Sequence, residues 1–177
     1  LFPKYLIGYA TRESLILEFC PTMLSLILAG KVGSNIASEI GSMRVTEQID
    51  ALEIMGVNSA SFLILPKIFA TVLFFPVLII LSITIGLVGG WIGCQTAGIT
   101  AADYMYGIKY EFNTFYITYC LIKTVFFAFI ISSVSSYFGY FTKGGALDVG
   151  RSSTRAVVFS SIIILIFNFL LTDLLLA

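Results

Sequence analysis

The chain has 177 residues, of which 58% are hydrophobic and 11% charged, and its mean hydropathy is +1.00. Soluble domains carry ~25% charged residues, so this composition excludes a water-soluble fold and defines an integral membrane protein. Ten Lys and Arg balance ten Asp and Glu, and no residue is His; a basic nucleic-acid surface, a His general base and a His-ligated metal are excluded with them.

The chain opens with LFPKYLIGYATRE, which has neither the basic start nor the small-residue cleavage site of a signal peptide, and it lacks an initiator Met. The expectation is a fragment whose N-terminal part is missing. Charges then mark out the spans. Ser14 to Gly30 contains one acid, Glu18; Ile68 to Ala102, Thr124 to Thr142 and Ala156 to Thr172 contain no charge at all. Each is near or above the ~20 residues that cross a hydrocarbon core. Four spans follow, at about 14–34, 68–94, 115–140 and 156–176. All four are helical, because an open sheet cannot satisfy its backbone in lipid and barrel strands alternate. The predicted fold is an all-α polytopic bundle forming one membrane domain over 1–177.

Lys31, Arg44 and Lys67 lie in the 35–67 connection or at its edge, and Lys143, Arg151 and Arg155 in 141–155; only Lys4, Arg12 and Lys109 lie on the other side. The excess places 35–67 and 141–155 in the cytoplasm. Both visible ends are then outside, so an odd number of spans precedes Leu1 if the complete protein starts in the cytoplasm; one is the simplest number.

Within the first span, Pro21 removes a backbone hydrogen bond and is expected to kink the helix and expose a carbonyl. Pro76 is placed to do the same in the second. Gly33, Ala37 and Gly41 form a small-residue stripe for close helix packing, as do Gly86/Gly90 and Gly89/Gly93. In the loop that follows, Thr46 can cap a short helix over 46–56, acidic in its first turn and ended by Gly56. Val45, Ile49 and Leu52 give it an apolar side, with Glu47, Gln48 and Asp50 pointing away. Acids outward suit a protein partner better than an anionic leaflet. Tyr104, Tyr106, Tyr110, Tyr116 and Tyr119 read as an aromatic belt at the outer boundary. Cys20, Cys94 and Cys120 read as small apolar core residues, with no metal-ligand spacing.

Two ionisable residues lie inside spans: Glu18 about one turn in, and Lys123 about two. Each costs roughly 2.5–3.5 kcal/mol alone at mid-membrane, so they are expected to pair or to face water. Separate snorkelling to the headgroups is the alternative. Asn168, in the last span, reads as a helix-packing hydrogen bonder.

The string AGKVGSNIASEIGSMRVTEQIDALEIMGV (29–57) resembles the signature of the MlaE family, the permease subunit of MCE-associated ABC lipid transporters. GALDVGRSSTRAVV (145–158) is similar to a second family motif, and EFCP and CLIK fall in the expected order. The resemblance implies a five-helix permease preceded by an interfacial helix, working as a homodimer in the bacterial inner membrane. Its implied partners are a cytoplasmic ATPase dimer and an extracytoplasmic MCE-domain protein, with phospholipid or a similar lipid as cargo. It makes 46–56 a coupling helix, with Glu47, Gln48, Asp50 and Glu53 contacting the ATPase. The chain lacks a GxxxxGK[ST] phosphate loop, so ATP and Mg²⁺ belong to the partner and this chain is not the enzyme. Glu18, Pro21, Lys123 and Asn168 become a substrate cavity. The family's Arg-Glu-x-Gly-Pro reads Leu17-Glu18-Phe19-Cys20-Pro21 here, which leaves Lys123 as the one deep cation for a phosphate. A secondary carrier using Glu18 and Lys123 as an ion relay, or a non-transporting anchor subunit, are the competing readings.

Overall fold

The computed structural model describes residues 3–176, and those residues form six helices. The first, α1, runs from Leu6 to Val45. A short α2 covers Gln48–Ile54, α3 is Ser59–Thr96, α4 is Ala101–Lys109, α5 is Phe115–Tyr140 and α6 is Ala146–Leu176. Four of them, α1, α3, α5 and α6, are long and apolar enough to cross a membrane.

Three spans are longer than the charge pattern suggested. Charges mark where hydrocarbon ends, whereas a helix continues until its backbone meets a cap, and at ~1.5 Å per residue all three overrun a ~30 Å core. α1 begins eight residues before the predicted boundary at Ser14 and continues to Val45. α3 starts at Ser59, where the Asn58 side chain accepts from the Ser61 amide at 3.2 Å. The 35–67 connection is therefore almost wholly helical. Thr46 does not cap α2: its hydroxyl turns back and donates to the Ser42 carbonyl at 2.8 Å. Glu47 occupies the N-cap in a left-handed conformation, φ 59°, without a side-chain cap. Gly56, φ 78°, ends the helix, with its amide on Glu53 and that of Val57 on Leu52; this is the paired arrangement that a left-handed C′ glycine allows.

α5 is the central helix. Half of its most apolar window is buried, against 17% for α3 and for α6. It runs parallel to α1, since Glu18 meets Lys123 and Gly33 meets Ser135. It is antiparallel to α6, since Tyr119 meets Thr172 and Phe138 stacks on Phe159. The core between these helices is Ala29, Phe75, Phe127, Ala128, Ile131 and Ile164. A second cluster, Ile16, Cys20, Ile79 and Cys120, lies toward the α4 end.

Glycine sets the closest crossings. A Cβ on Gly139 would lie 2.8 Å from the Ala37 carbonyl oxygen, and one on Gly107 would lie 2.0 Å from that of Tyr5. Gly33 and Gly41 face the side chains of Ser135 and Thr142, and Ala37 is fully buried. Gly86 and Gly90 pack on Leu15, Thr11 and Tyr104, while Gly89 and Gly93 have no such neighbour within 4 Å.

The aromatic belt needs correction. Tyr104 and Tyr119 are 1% and 0% exposed. Each spends its hydroxyl inside the protein, Tyr104 on the Leu87 carbonyl at 3.0 Å, because a buried phenol must find a partner. Tyr106 remains exposed.

Candidate functional site

The turn of α1 around Pro21 is π-helical, Leu15–Met23. It places Glu18 between α5 and α6. From α5, Lys123 reaches in with its side chain fully buried, while that of Glu18 keeps 44% exposure; Nζ and Oε1 are 2.8 Å apart. Lys123 Nζ also donates to Tyr119 Oη at 2.8 Å, Thr172 Oγ1 at 3.1 Å and Leu17 O at 3.3 Å. The last acceptor is the carbonyl four residues before Pro21, the one an α-helical N–H at position 21 would have taken. The proline thus frees an oxygen that the ammonium uses.

α6 completes the cluster. Asn168 Nδ2 donates to Glu18 Oε2 at 3.0 Å, and Thr172 Oγ1 donates to Oε1 at 3.0 Å. Thr22 lies 3.3 Å from Oε2 and 2.9 Å from Asn168 Oδ1. The ammonium's three protons face four acceptors of this chain, so Lys123 is held as a fixed counter-ion. The hydroxyls are different. Thr22 can turn to Asn168 Oδ1, and Thr172 to the Asn168 carbonyl at 2.7 Å; either rotation frees a lone pair on Glu18 while the hydroxyl keeps a hydrogen bond. The ionised group of the cluster that stays accessible is the half-exposed carboxylate. Four predicted cavity residues, Glu18, Pro21, Lys123 and Asn168, are brought together. Tyr119, Thr22 and Thr172 join them, although as uncharged hydroxyls in apolar runs they carried no signal of their own.

At the opposite end, α2 is fastened to the spans. Asp50 pairs with Arg44 at 2.7 Å, and Arg44 lies over the Tyr140 ring, 5.7 Å from its centroid. Glu53 accepts from Ser59 and Tyr140 at 2.9 and 3.0 Å. These bonds hold the Glu53 carboxyl below the ordinary carboxylate range. Two of the four predicted contact residues therefore bind this chain itself, and Glu47 and Gln48 remain exposed. Beside them Ile54 and Met55 are 88% and 68% exposed, an apolar tip that the sequence reading missed.

Arg12 was also missed. It is 2% exposed, pairs with Glu13, and donates to the carbonyls of Ile108, Tyr110 and Glu111 at 2.6, 2.9 and 3.4 Å. It thereby takes up carbonyls at the C-terminal end of α4.

A polytopic helical bundle with an ion pair joining two of its spans and a short helix strapped across one end has the form of a transport permease. Residues 2–174 match the family described as Permease MlaE, and the chain belongs to that family. It is 41% identical over 162 residues to a probable ABC transporter permease protein of Rickettsia bellii, covering 91% of this chain and 62% of the relative. A similarly named protein of Synechocystis is 36% identical, covering 94% and 64%. The chloroplastic protein TRIGALACTOSYLDIACYLGLYCEROL 1 of Arabidopsis thaliana is 35% identical, covering 88% and 45%. The chain thus spans less than two thirds of the length of these relatives.

Proposed function

We propose that this chain is the membrane subunit of an ABC transporter that moves phospholipid or a similar amphiphile between the bacterial inner membrane and an extracytoplasmic MCE-type carrier. The observation that carries this reading is the Glu18–Lys123 pair, a fully buried ammonium with a half-exposed carboxylate at hydrocarbon depth. Ionisable groups at that depth mark paths for polar cargo. Because Lys123 is engaged on every proton, the headgroup is recognised through Glu18 and its two rotatable hydroxyls rather than through a phosphate on Lys123. The Arabidopsis relative bears the name of a diacylglycerol glycolipid, which supports a lipid cargo.

The four described spans do not by themselves enclose a two-tailed lipid, and α3 and α6 leave long apolar faces uncovered. Both favour a homodimer with the path at its two-fold interface. ATP and Mg²⁺ are held by a separate ATPase dimer. Its docking face is the exposed part of α2, Glu47, Gln48, Ile54 and Met55, while Asp50 and Glu53 fix α2 to the spans.

The test is purification of the complete complex, mass spectrometry of its retained lipid, and transport into acceptor vesicles by wild-type protein and Glu18→Gln. Lipid retained by the wild type and lost or exchanged in the variant is the expected result. A complex that hydrolyses ATP yet neither retains nor moves lipid overturns the reading.

A further inference from the structure

Lys31, Ser34, Asn35 and Ser38 fall at i, i+3, i+4 and i+7 on α1, opposite the buried face of Ile36, Ala37 and Ile40. With Gly30 and with Ser153 of α6 they line an open cleft of about 620 Å³. Nothing lies within 4 Å of where a Gly30 side chain would start, so the space beside Lys31 is open. The helix is π-helical here, Ala29–Gly33.

The free donors of the cleft are those of Lys31 and Asn35, because its serines are already engaged. Ser34 and Ser38 give their protons to helix carbonyls, and Ser153 donates to the Ser34 carbonyl at 3.0 Å. Among the described residues no ion pair forms with Lys31, and no hydrogen bond involves its ammonium or the Asn35 side chain. Glu39, the nearest acid along the helix, is neutralised by Lys67 at 2.6 Å. Three ammonium protons and two amide protons thus face an open space without an anion. Its depth narrows what fills it: Lys31 is about 20 Å along α1 from Glu18, at ~1.5 Å per residue. With Glu18 about one turn inside a ~30 Å hydrocarbon core, the Lys31 backbone lies about 5 Å inside the opposite boundary, and its long side chain reaches the headgroups. A polar stripe at that level is stable against headgroups or water but not against acyl chains.

We propose that this cleft binds the phosphate of an anionic phospholipid in the leaflet at the α2 end. Lys31 supplies the charge and Asn35 a hydrogen bond. The site is separate from Glu18 and Lys123, and it stands whether or not that pair handles cargo.

The experiment uses the complete protein in nanodiscs of phosphatidylcholine doped with phosphatidylglycerol, with retained lipid read by native mass spectrometry. Lys31→Gln is expected to lower phosphatidylglycerol retention about tenfold, the scale of one charge-assisted hydrogen bond. Lys31→Arg restores most of it, Asn35→Leu gives a smaller loss, and Lys109→Gln, an exposed lysine at the opposite end of the bundle, leaves it unchanged. Retention unchanged in Lys31→Gln overturns the site. So does displacement of the lipid by inorganic phosphate at millimolar level, which would mark a free-anion site, and so does efficient cross-linking of Ser38→Cys between two copies, which would mean that a second chain fills the cleft.

Discussion

The hydroxyl of Tyr140, the last residue of α5, donates to the Glu53 carboxylate of α2 at 3.0 Å, and Ser59 at the start of α3 lies 2.9 Å from both. Three helices meet at one carboxylate. α5 also carries Lys123, about 25 Å away along the same helix, so the proposed docking helix and the buried ion pair are joined by one continuous helix. Tyr140→Phe removes the oxygen and keeps the ring beneath Arg44. Losing one such exposed bond is a small change in folding energy, so assembly should persist while lipid moved per ATP falls several-fold. An unchanged ratio removes Tyr140 from the coupling route.

The same carboxylate has a pH signature. Hydrogen bonds from Ser59 and Tyr140, with Arg44 nearby, hold Glu53 below its ordinary value of 4.5 against slight desolvation. Its folded value is thus below its unfolded one, so its contribution to stability is complete above the unfolded value and is lost as pH falls through the folded one. The melting-temperature gap between wild type and Glu53→Gln should narrow as pH falls below the ordinary value of 4.5. A gap constant through that fall contradicts the assignment.

Glu18→Gln and Lys123→Met should each destabilise the protein more than the two together. Removing one partner of a buried pair costs about 3–5 kcal/mol. Glu18 is partly exposed, so Lys123→Met belongs below that range and Glu18→Gln, which strands a fully buried ammonium, near its lower end. Additive losses in a double-mutant cycle of unfolding energies would show the pair uncoupled.

Alanine at the helix crossings should discriminate backbone contacts from side-chain contacts. Gly139→Ala meets the Ala37 backbone, whereas Gly33→Ala meets only the ends of Ser135 and Ile131. We expect about 1–3 kcal/mol of overpacking loss at Gly139 and less at Gly33, measured as the difference in denaturation midpoint. The reverse order would show that the α1–α5 crossing gives way elsewhere.

Arg12→Lys should release α4. A single ammonium cannot serve the carbonyls of Ile108, Tyr110 and Glu111 while pairing with Glu13, which a guanidinium fork can. Hydrogen exchange at the α4 amides should accelerate at least tenfold with α5 unaffected. Protection equal to wild type would show that the glycine crossing alone holds α4.

The spans were legible because uncharged runs of membrane length have no other use in a chain this apolar. The ends of the span at 115–140 were legible too, but those of the other three were not, because Arg12 and Glu39 lie within helix that runs on beyond the apolar stretch. The meeting of Glu18 and Lys123 was readable from opposite sign at similar depth. That Thr172 and Tyr119 share the ammonium was not, since threonine in a span commonly bonds its own helix, as Thr124 does with Cys120. Arg12 near a boundary read as solvated; only the tertiary fold brings it to the end of α4. α4 itself had a usable signal in Thr100 and Asp103, where the Thr100 side chain accepts the Asp103 amide at 3.2 Å. Gly139 is the single glycine of α5, but Ser135 four positions before it makes a small-residue pair, a signal for the contact with Ala37 that the reading passed over.

Glu18 and Lys123 are 105 positions apart, and a ribosome makes the first long before the second. At ~5–20 residues per second, roughly 5–20 s separate them. For that interval the nascent first helix carries a carboxylate whose counter-ion has not been synthesised, and Asn168 and Thr172 arrive later still. An unpaired carboxylate is costly in hydrocarbon, so until α5 emerges the stable place for this turn of the helix is a hydrated one, and α6 is the last of the described helices available to cover the charge.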